Sequence, residues 1–222
     1  MEKSHCFEYW QTQQHTSSRY TMEFARKIAK KINRDFINYI DTGSYGSAYR
    51  IDGYKVMKIT TDEREAFTAN RLIGKDTNNI VEHYEVYQLE CSDIEKPTYV
   101  IIMEFLITLD EYSKNIRDFF DYFSANYNFE DFFKYNDFST QSIKYFKNKY
   151  FKECDNCILD NQVDENVEKL KKIAIDTKRH NIYPVDVHSG NLGFRIVGAD
   201  LIYFDVGVND NFSKVNLKKI VL

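Results

Sequence analysis

The sequence lacks any long hydrophobic run, and its opening residues, Met1 to Cys6, contain no apolar signal core. A membrane-spanning helix needs about 20 predominantly apolar residues, and a secretion signal needs an apolar core of about 7 to 15. Neither a membrane partner nor export is therefore predicted. The expectation is a soluble, cytoplasmic protein, acting in its own cell or in a host cell.

Cysteine and surplus positive charge are also scarce. Four cysteines in a 222-residue chain without a secretion signal do not make a disulfide framework, so free thiols are expected. Cys154 and Cys157 have the spacing of half a zinc site, but no second pair accompanies them, which favours an incidental role. The formal net charge of -4 gives no electrostatic reason to expect nucleic acid as a partner.

Apolar surface for a core, in contrast, is abundant. Hydrophobic residues make up 43% of the chain and aromatic residues 16%, which suits one domain or two small lobes at this length. Near the N-terminus, Thr21 is a good N-cap residue, and apolar side chains recur after it at steps of three and four. This pattern predicts an amphipathic helix whose apolar positions are Met22, Ala25, Ile28, Ala29, Ile32 and Phe36.

The most informative stretch is a short loop that contains both an acid and an amide. Asn191 follows Asp186 by five residues, and two short strands predicted at 194–197 and 201–204 then lead to Asp205. Phosphoryl transfer depends mostly on holding phosphates, magnesium and acceptor in line, and magnesium takes hard oxygen ligands. The spacing predicts a phosphoryl-transfer loop, with Asp186 as base or acceptor-orienting group and the other two side chains as metal ligands.

A second motif is a glycine hairpin followed by a strand that carries a lysine. Gly43 and Gly46 precede the dipeptide Asp52-Gly53, which is the strongest short-range hairpin signal. The missing side chains at the two glycines would let backbone N–H groups close over phosphates. On the following strand Val56 and Lys58 share one face, because side chains alternate along a strand.

In this order, the motifs resemble those of the protein-kinase-like superfamily. The Asp-x-His-x-Gly-Asn pattern of residues 186–191, followed by a hairpin and by Asp-x-Gly at 205–207, is similar to the catalytic loop of aminoglycoside and choline phosphotransferases. The sequence departs from the family at two places. Pro184-Val185 replaces the usual His-Arg, and Asp41 stands where the hairpin's first glycine would be.

The resemblance implies an α+β, bilobal fold. Residues 1–39 would form an N-terminal extension with the amphipathic helix, residues 40–106 an antiparallel β lobe with one helix, and residues 107–222 a mostly helical second lobe. That lobe would be abbreviated, because only fifteen residues follow Gly207, and it would carry an insertion at about 110–160. Further elements predicted from the residue pattern are strands at 79–81, 85–89 and 98–106, two or three amphipathic helices over 110–151, and a helix at 165–180.

The resemblance also implies a site for ATP and magnesium. Lys58, favoured over Lys55, would bind the α- and β-phosphates and pair with a glutamate of the next helix. Glu65 is favoured over Glu63, since only one of them can face the lysine. The implied catalytic residues are Asp186, Asn191 and Lys58, the metal ligands are Asn191 and Asp205, and the ATP-binding residues are Gly43, Ser44, Gly46, Ala48, Val56, Lys58, Glu65, Met103, Glu104 and Leu106.

The implied activity is transfer of the γ-phosphate of ATP to a hydroxyl group, with a protein serine or threonine slightly favoured over a small molecule. A protein substrate or partner would dock on the aromatic-rich insertion or on the N-terminal extension. Two alternatives remain open: a catalytically silent kinase-like module that binds or regulates, which Asp41 and the missing His-Arg favour, and nucleotidyl transfer.

Overall fold

The computed structural model describes residues 20–91, 96–109, 114–126, 148, 160–182, 187–196, 200–204 and 216–222. The chain divides into two compact units. The first comprises Met1–Lys75, Glu82–Phe105 and Asp210–Leu222, and the second comprises Asp76–Val81 and Leu106–Asn209. Each unit contains both helices and a predominantly antiparallel sheet, which confirms the predicted α+β class.

The first unit is built on a six-stranded sheet in the order β1-β2-β3-β5-β4-β9. All neighbouring strands are antiparallel except β4 and β9, which are parallel. The elements are α1 (Met22–Lys31), β1 (Phe36–Thr42), β2 (Gly46–Ile51), β3 (Lys55–Thr60), α2 (Glu63–Leu72), β4 (His83–Glu90), β5 (Thr98–Glu104) and β9 (Lys218–Val221).

Helix α1 begins as the sequence predicts. The Thr21 hydroxyl accepts a hydrogen bond from the backbone N–H of Phe24 at 3.1 Å, and so satisfies one of the free donors of the first turn. The predicted apolar face extends too far, however, because Phe36 lies in β1. The helix stops at Lys31, and Asn33 turns the chain in the left-handed region with φ 57°.

The two faces of this sheet carry different clusters. On one face α1 packs over the sheet through Ala25, Ile28 and Ala29, in a cluster that includes Met57 and Ile59 of β3. On the other face α2 packs over Val86, Tyr99 and Ile101, together with Leu217 from the segment that leads into β9. Lys58 is partly exposed and falls in neither cluster.

The second unit contains the predicted loop. Its described elements are β6 (Ile107–Thr108), α3 (Lys114–Asn126), α4 (Asp160–Arg179), β7 (Leu192–Phe194) and β8 (Leu201–Tyr203), with the three strands in the order β6-β7-β8. Helix α3 confirms one amphipathic helix of the aromatic-rich stretch, since Phe119, Phe120 and Phe123 are buried in the core with α4. Most of the remaining insertion lies outside the described residues, as do Cys154 and Cys157.

Two strand predictions in this unit need correction. Residues 79–81 do not form a strand. Ile80 makes a single bridge to Tyr203, whose backbone N–H and carbonyl bond Asn79 and Val81 respectively, and the chain then leaves to begin β4 at His83. The first strand of the predicted hairpin begins at Leu192 and ends at Phe194, because these are the described residues that pair with β8. Within the described residues, no helix is long and apolar enough to cross a bilayer.

Candidate functional site

Lys58 and Glu65 form an ion pair between β3 and α2. The Asp62 side chain caps α2 by accepting from the backbone N–H of Arg64 at 2.9 Å and of Glu65 at 3.4 Å, which fixes the first turn. Glu65 therefore projects toward the sheet, where its Oε1 meets the Nζ of Lys58. The glutamate side chain is 5% exposed and the lysine side chain 23% exposed. The pair thus joins a buried anion to a cation that still reaches solvent.

The rival residues of the predicted pair are engaged elsewhere. Glu63 accepts a hydrogen bond from the Tyr99 hydroxyl at 3.3 Å. Burial raises the pKa of Tyr99 to about 12, and the charge of Glu63 and this hydrogen bond act in the same direction, so the phenol stays a donor. Lys55 lies on the opposite face of β3 from Lys58, with its Nζ 4.8 Å from the centre of the Tyr84 ring.

The turn between β1 and β2 requires glycine at Gly46, whereas Gly43 contributes a backbone hydrogen bond. A Cβ atom at Gly46 would lie 2.3 Å from the Ile59 carbonyl oxygen, so β2 approaches β3 too closely for any side chain there. The backbone N–H of Gly43 donates to the Gly46 carbonyl at 2.9 Å and closes the turn, which leaves Ser44 and Tyr45 exposed at its tip. The Tyr45 carbonyl accepts from the Thr61 N–H at 3.0 Å, and this bond holds the tip beside the start of α2.

The departure at Asp41 has a local explanation. Its carboxylate is exposed and accepts from the backbone N–H of Thr42 at 2.7 Å, so the acid supports the end of β1. This hydrogen bond accounts for an acid at position 41 without a bound ligand.

Three of the predicted adenine-binding residues, Ala48, Val56 and Met103, lie on the neighbouring strands β2, β3 and β5. Val56 pairs in register with Met103 of β5, and Ala48 pairs with Lys58, so these side chains are close on the sheet. The backbone N–H of Glu104 donates to the Glu82 carbonyl at 2.9 Å, and that of Phe105 donates to the Tyr54 carbonyl at 3.0 Å. Both amides are therefore used within the protein. Leu106, at 9% exposure, is buried beside Gly193 in the second unit.

The loop of the second unit is organised by His188. Its Nδ1 accepts from the backbone N–H of Gly190 at 3.0 Å, and its carbonyl accepts from the N–H of Asn191 at 3.0 Å. A Cβ atom at Gly190 would lie 2.7 Å from the histidine Cε1, so glycine is needed for this cap to close. Val187 anchors the start of the loop in the core at 2% exposure. Asp186 lies outside the described residues.

Asn191 is connected by its backbone to the end of β8. The backbone N–H of Phe204 donates to the Asn191 carbonyl at 3.1 Å, directly beyond the β7–β8 pairing of Leu192 with Tyr203. Phe204 is the residue before Asp205, which itself lies outside the described residues. Among the residues that are described, no three acid, histidine or cysteine side chains gather as a metal cluster.

The sequence reading missed Asp121 of α3. Its carboxylate accepts from the backbone N–H of Ser189 at 3.1 Å and so supports the same loop from a distant helix. It also missed Asp176 of α4, a carboxylate that is 4% exposed and accepts from the N–H of Asn79 at 2.7 Å. Neither acid belongs to a recognisable motif. An isolated acid on the apolar-rich face of a predicted helix was the only signal available for Asp176.

The His188 contact predicts a difference between two substitutions. His188→Ala removes the acceptor for Gly190 and should lower the free energy of unfolding by about 1 kcal/mol, the usual cost of a lost cap. His188→Asn keeps a short polar acceptor and should recover most of that loss. Thermal unfolding of the two variants beside the unchanged protein measures the difference. Equal stability of the alanine and asparagine variants would contradict the assigned role.

Comparison with known proteins gives structural similarity only. No protein-family model matches the chain, and no curated protein sequence does. Among solved structures, a MAP kinase from Leishmania major is similar at 13% identity with a TM-score of 0.43, over 85% of this chain and 51% of that one. An ADP-bound aminoglycoside phosphotransferase, APH(2'')-Ib, is similar at 17% identity with a TM-score of 0.31, over 84% of this chain and 70% of that one.

A thermostable mutant of the aminoglycoside phosphotransferase APH(4)-Ia is similar at 13% identity with a TM-score of 0.35, over 81% of this chain and 70% of that one. All three neighbours are thus kinases or phosphotransferases, and the chain spans about half the length of the MAP kinase. At TM-scores below 0.5 these similarities carry no argument of their own.

Proposed function

We propose that the chain is an ATP- and magnesium-dependent phosphotransferase that transfers the γ-phosphate to a hydroxyl acceptor. The observation that carries the proposal is the Lys58–Glu65 ion pair, set beside a glycine hairpin. A buried ion pair contributes little to the net stability of a fold, because the cost of removing the charges from water offsets much of their attraction. Its value here is to hold a cation at a fixed point of the sheet, where it binds the α- and β-phosphates.

The loop of the second unit carries residue types with oxygen donors. Phe204 is bonded to the Asn191 carbonyl, Asp205 is the next residue, and consecutive Cα atoms are about 3.8 Å apart. In this proposal the amide oxygen of Asn191 and the carboxylate of Asp205 would hold one cation, since both are ligands that fit magnesium. Magnesium, when bound, supplies positive charge that neutralises the phosphates. Asp186, one residue before the buried Val187, orients the acceptor hydroxyl and accepts its proton.

The remaining predicted residues have supporting roles. Ala48, Val56 and Met103 form the apolar surface for adenine, while Glu104 and Leu106 contribute backbone groups. Gly43, Ser44 and Gly46 shape the turn over the phosphates. The acceptor is a serine or threonine of a protein, or else a small-molecule hydroxyl.

A silent kinase-like module is the second candidate, and two features of the β1–β2 turn favour it. The Gly43 N–H closes its own turn, and Asp41 places a negative charge on the neighbouring strand end. Both features weaken the turn as a phosphate cover, because a bonded donor is not offered to an anion and a carboxylate repels one. A module of this kind would bind a partner without transferring phosphate.

The experiment that separates these functions is transfer from labelled ATP with magnesium. The full chain is incubated with ATP labelled at the γ-phosphate and, in parallel, at the α-phosphate, with candidate proteins and hydroxylated small molecules as acceptors. Incorporation of γ-label that is lost in Asp186→Ala and Asp205→Ala supports the phosphotransferase. Incorporation of α-label indicates nucleotidyl transfer. No incorporation into any acceptor, or into the chain itself, favours the silent module.

A further inference from the structure

The packing of helix α2 on the sheet determines where Glu65 lies. One apolar cluster, called here the seat of α2, provides this packing. The helix contributes mostly small side chains to it, so much of the apolar contact must come from the residues that face the helix. The buried members of the cluster are Ala66, Phe67, Ala69, Val86, Tyr99, Ile101 and Leu217.

Leu217 is the member that is most distant from α2 in sequence. It is 9% exposed and lies immediately before β9, whose parallel pairing with β4 joins Tyr87 to Lys218 and Leu89 to Ile220. The other cluster members belong to α2, β4 and β5, which follow one another along the chain. The seat of α2 is therefore completed only by a segment that follows Asp205 in the sequence.

The same segment has a second anchor on the other side of the sheet. Ile220 is 5% exposed and belongs to the cluster under α1. Leu217 and Ile220 are three residues apart, an odd spacing that puts extended-chain side chains on opposite faces. Leu217 and Ile220 thus have similar exposure but belong to clusters under different helices. Of the two, Leu217 belongs to the cluster under the helix that carries Glu65.

We infer that Leu217 is a positioning residue for the Lys58–Glu65 pair, acting through the seat of α2. When Leu217 packs under the helix, the carboxylate of Glu65 is held at the Nζ of Lys58. When that contact is lost, α2 opens locally and the lysine loses its fixed position. The catalytic meaning of the contact rests on the proposed phosphotransferase function, whereas the coupling between Leu217 and the ion pair does not.

Hydrogen exchange of the full chain tests the coupling, with Ile220→Ala as the matched control for Leu217→Ala. Leu217→Ala should accelerate exchange of the α2 amides about tenfold more than that of the α1 amides, because it opens one helix selectively. Ile220→Ala should show the reverse preference. Equal acceleration of both helices by Leu217→Ala, or none, overturns the inference. Leu217→Met should restore the protection of the α2 amides against exchange. If Leu217→Ala does not fold, Leu217→Val is used in its place.

A second readout follows the lysine itself. Acylation of Lys58 by a water-soluble amine reagent, quantified by mass spectrometry without nucleotide, should become severalfold faster in Leu217→Ala and stay unchanged in Ile220→Ala. An unchanged rate in both variants overturns the inference. ATP affinity is then measured on the same samples. If the acylation result holds but even the unchanged protein does not bind ATP, the coupling stands and the proposed function fails.

Discussion

Replacing Lys58 with methionine should lower the rate of phosphoryl transfer by about 10²- to 10³-fold, the usual loss when a fixed charge-stabilising group is removed. Methionine preserves the length and apolar character of the lysine stem but leaves the buried Glu65 carboxylate without its cation, so the rate is compared on samples whose thermal unfolding shows a folded protein. Initial rates of γ-phosphate incorporation, with ATP concentration varied, measure the effect. We expect kcat to fall as well as KM for ATP to rise, because the cation acts on charge that develops during transfer.

Lys55→Met is the matched control for this change. Lys55 is on the same strand but faces the Tyr84 ring, so its loss should change the rate by less than about twofold.

Glu65→Gln should lower the rate about tenfold, since Lys58 keeps its charge but loses its fixed partner. Glu63→Gln is the corresponding control on α2, because Glu63 contacts Tyr99 instead. Similar losses for both lysines, or for both glutamates, would show that the assignment is wrong.

Gly46→Ala should be the most damaging single change to the first unit. Its Cβ atom would meet the Ile59 carbonyl oxygen at 2.3 Å and the Thr60 Cα at 3.0 Å, and both are backbone atoms that cannot rotate away. Relief of the contact requires β2 and β3 to separate, at a cost of about 3 kcal/mol in the free energy of unfolding. For a chain of this size, that cost lowers Tm by about 10 °C.

Gly43→Ala provides the comparison for Gly46→Ala. No atom lies within 4 Å of a Cβ placed at Gly43, so its substitution should change the free energy of unfolding by less than about 1 kcal/mol. Thermal unfolding of both variants measures the difference. If the Gly46 variant were as stable as the Gly43 variant, the close approach of β2 to β3 would be incorrect.

Local chemistry made part of this structure predictable from sequence. The Asp52-Gly53 signal predicts a hairpin, and β2 and β3 are joined there by the short loop 52–54, in which Asp52 and Gly53 have φ values of 40° and 61°. The alternation of side chains along β3 distinguishes Lys58 from Lys55, and helical periodicity predicts that only one of Glu63 and Glu65 can face the lysine. Each of these inferences needs only residues that are neighbours in the chain, where backbone geometry alone sets the direction of a side chain.

Contacts between distant segments could not be predicted in this way. The apolar residues Ile80 and Val81 predict a strand at 79–81. Their sequence is the same whether the segment forms a single β-bridge, as it does, or a full strand ladder. The pairing of β9 with β4 has no local signal, since strand preference depends on neighbours that only the folded chain supplies. The same holds for Asp121, whose hydrogen bond to Ser189 becomes visible only when α3 and the loop are seen together.

The parallel pairing of β9 with β4 also has a consequence for biosynthesis. The ribosome releases β4 well before it has made the residues of β9. Until then β4 is the outer strand of an incomplete sheet, with a row of unbonded amide and carbonyl groups open to any other extended peptide. Throughout most of its translation the nascent chain therefore exposes an edge strand at which premature association can begin.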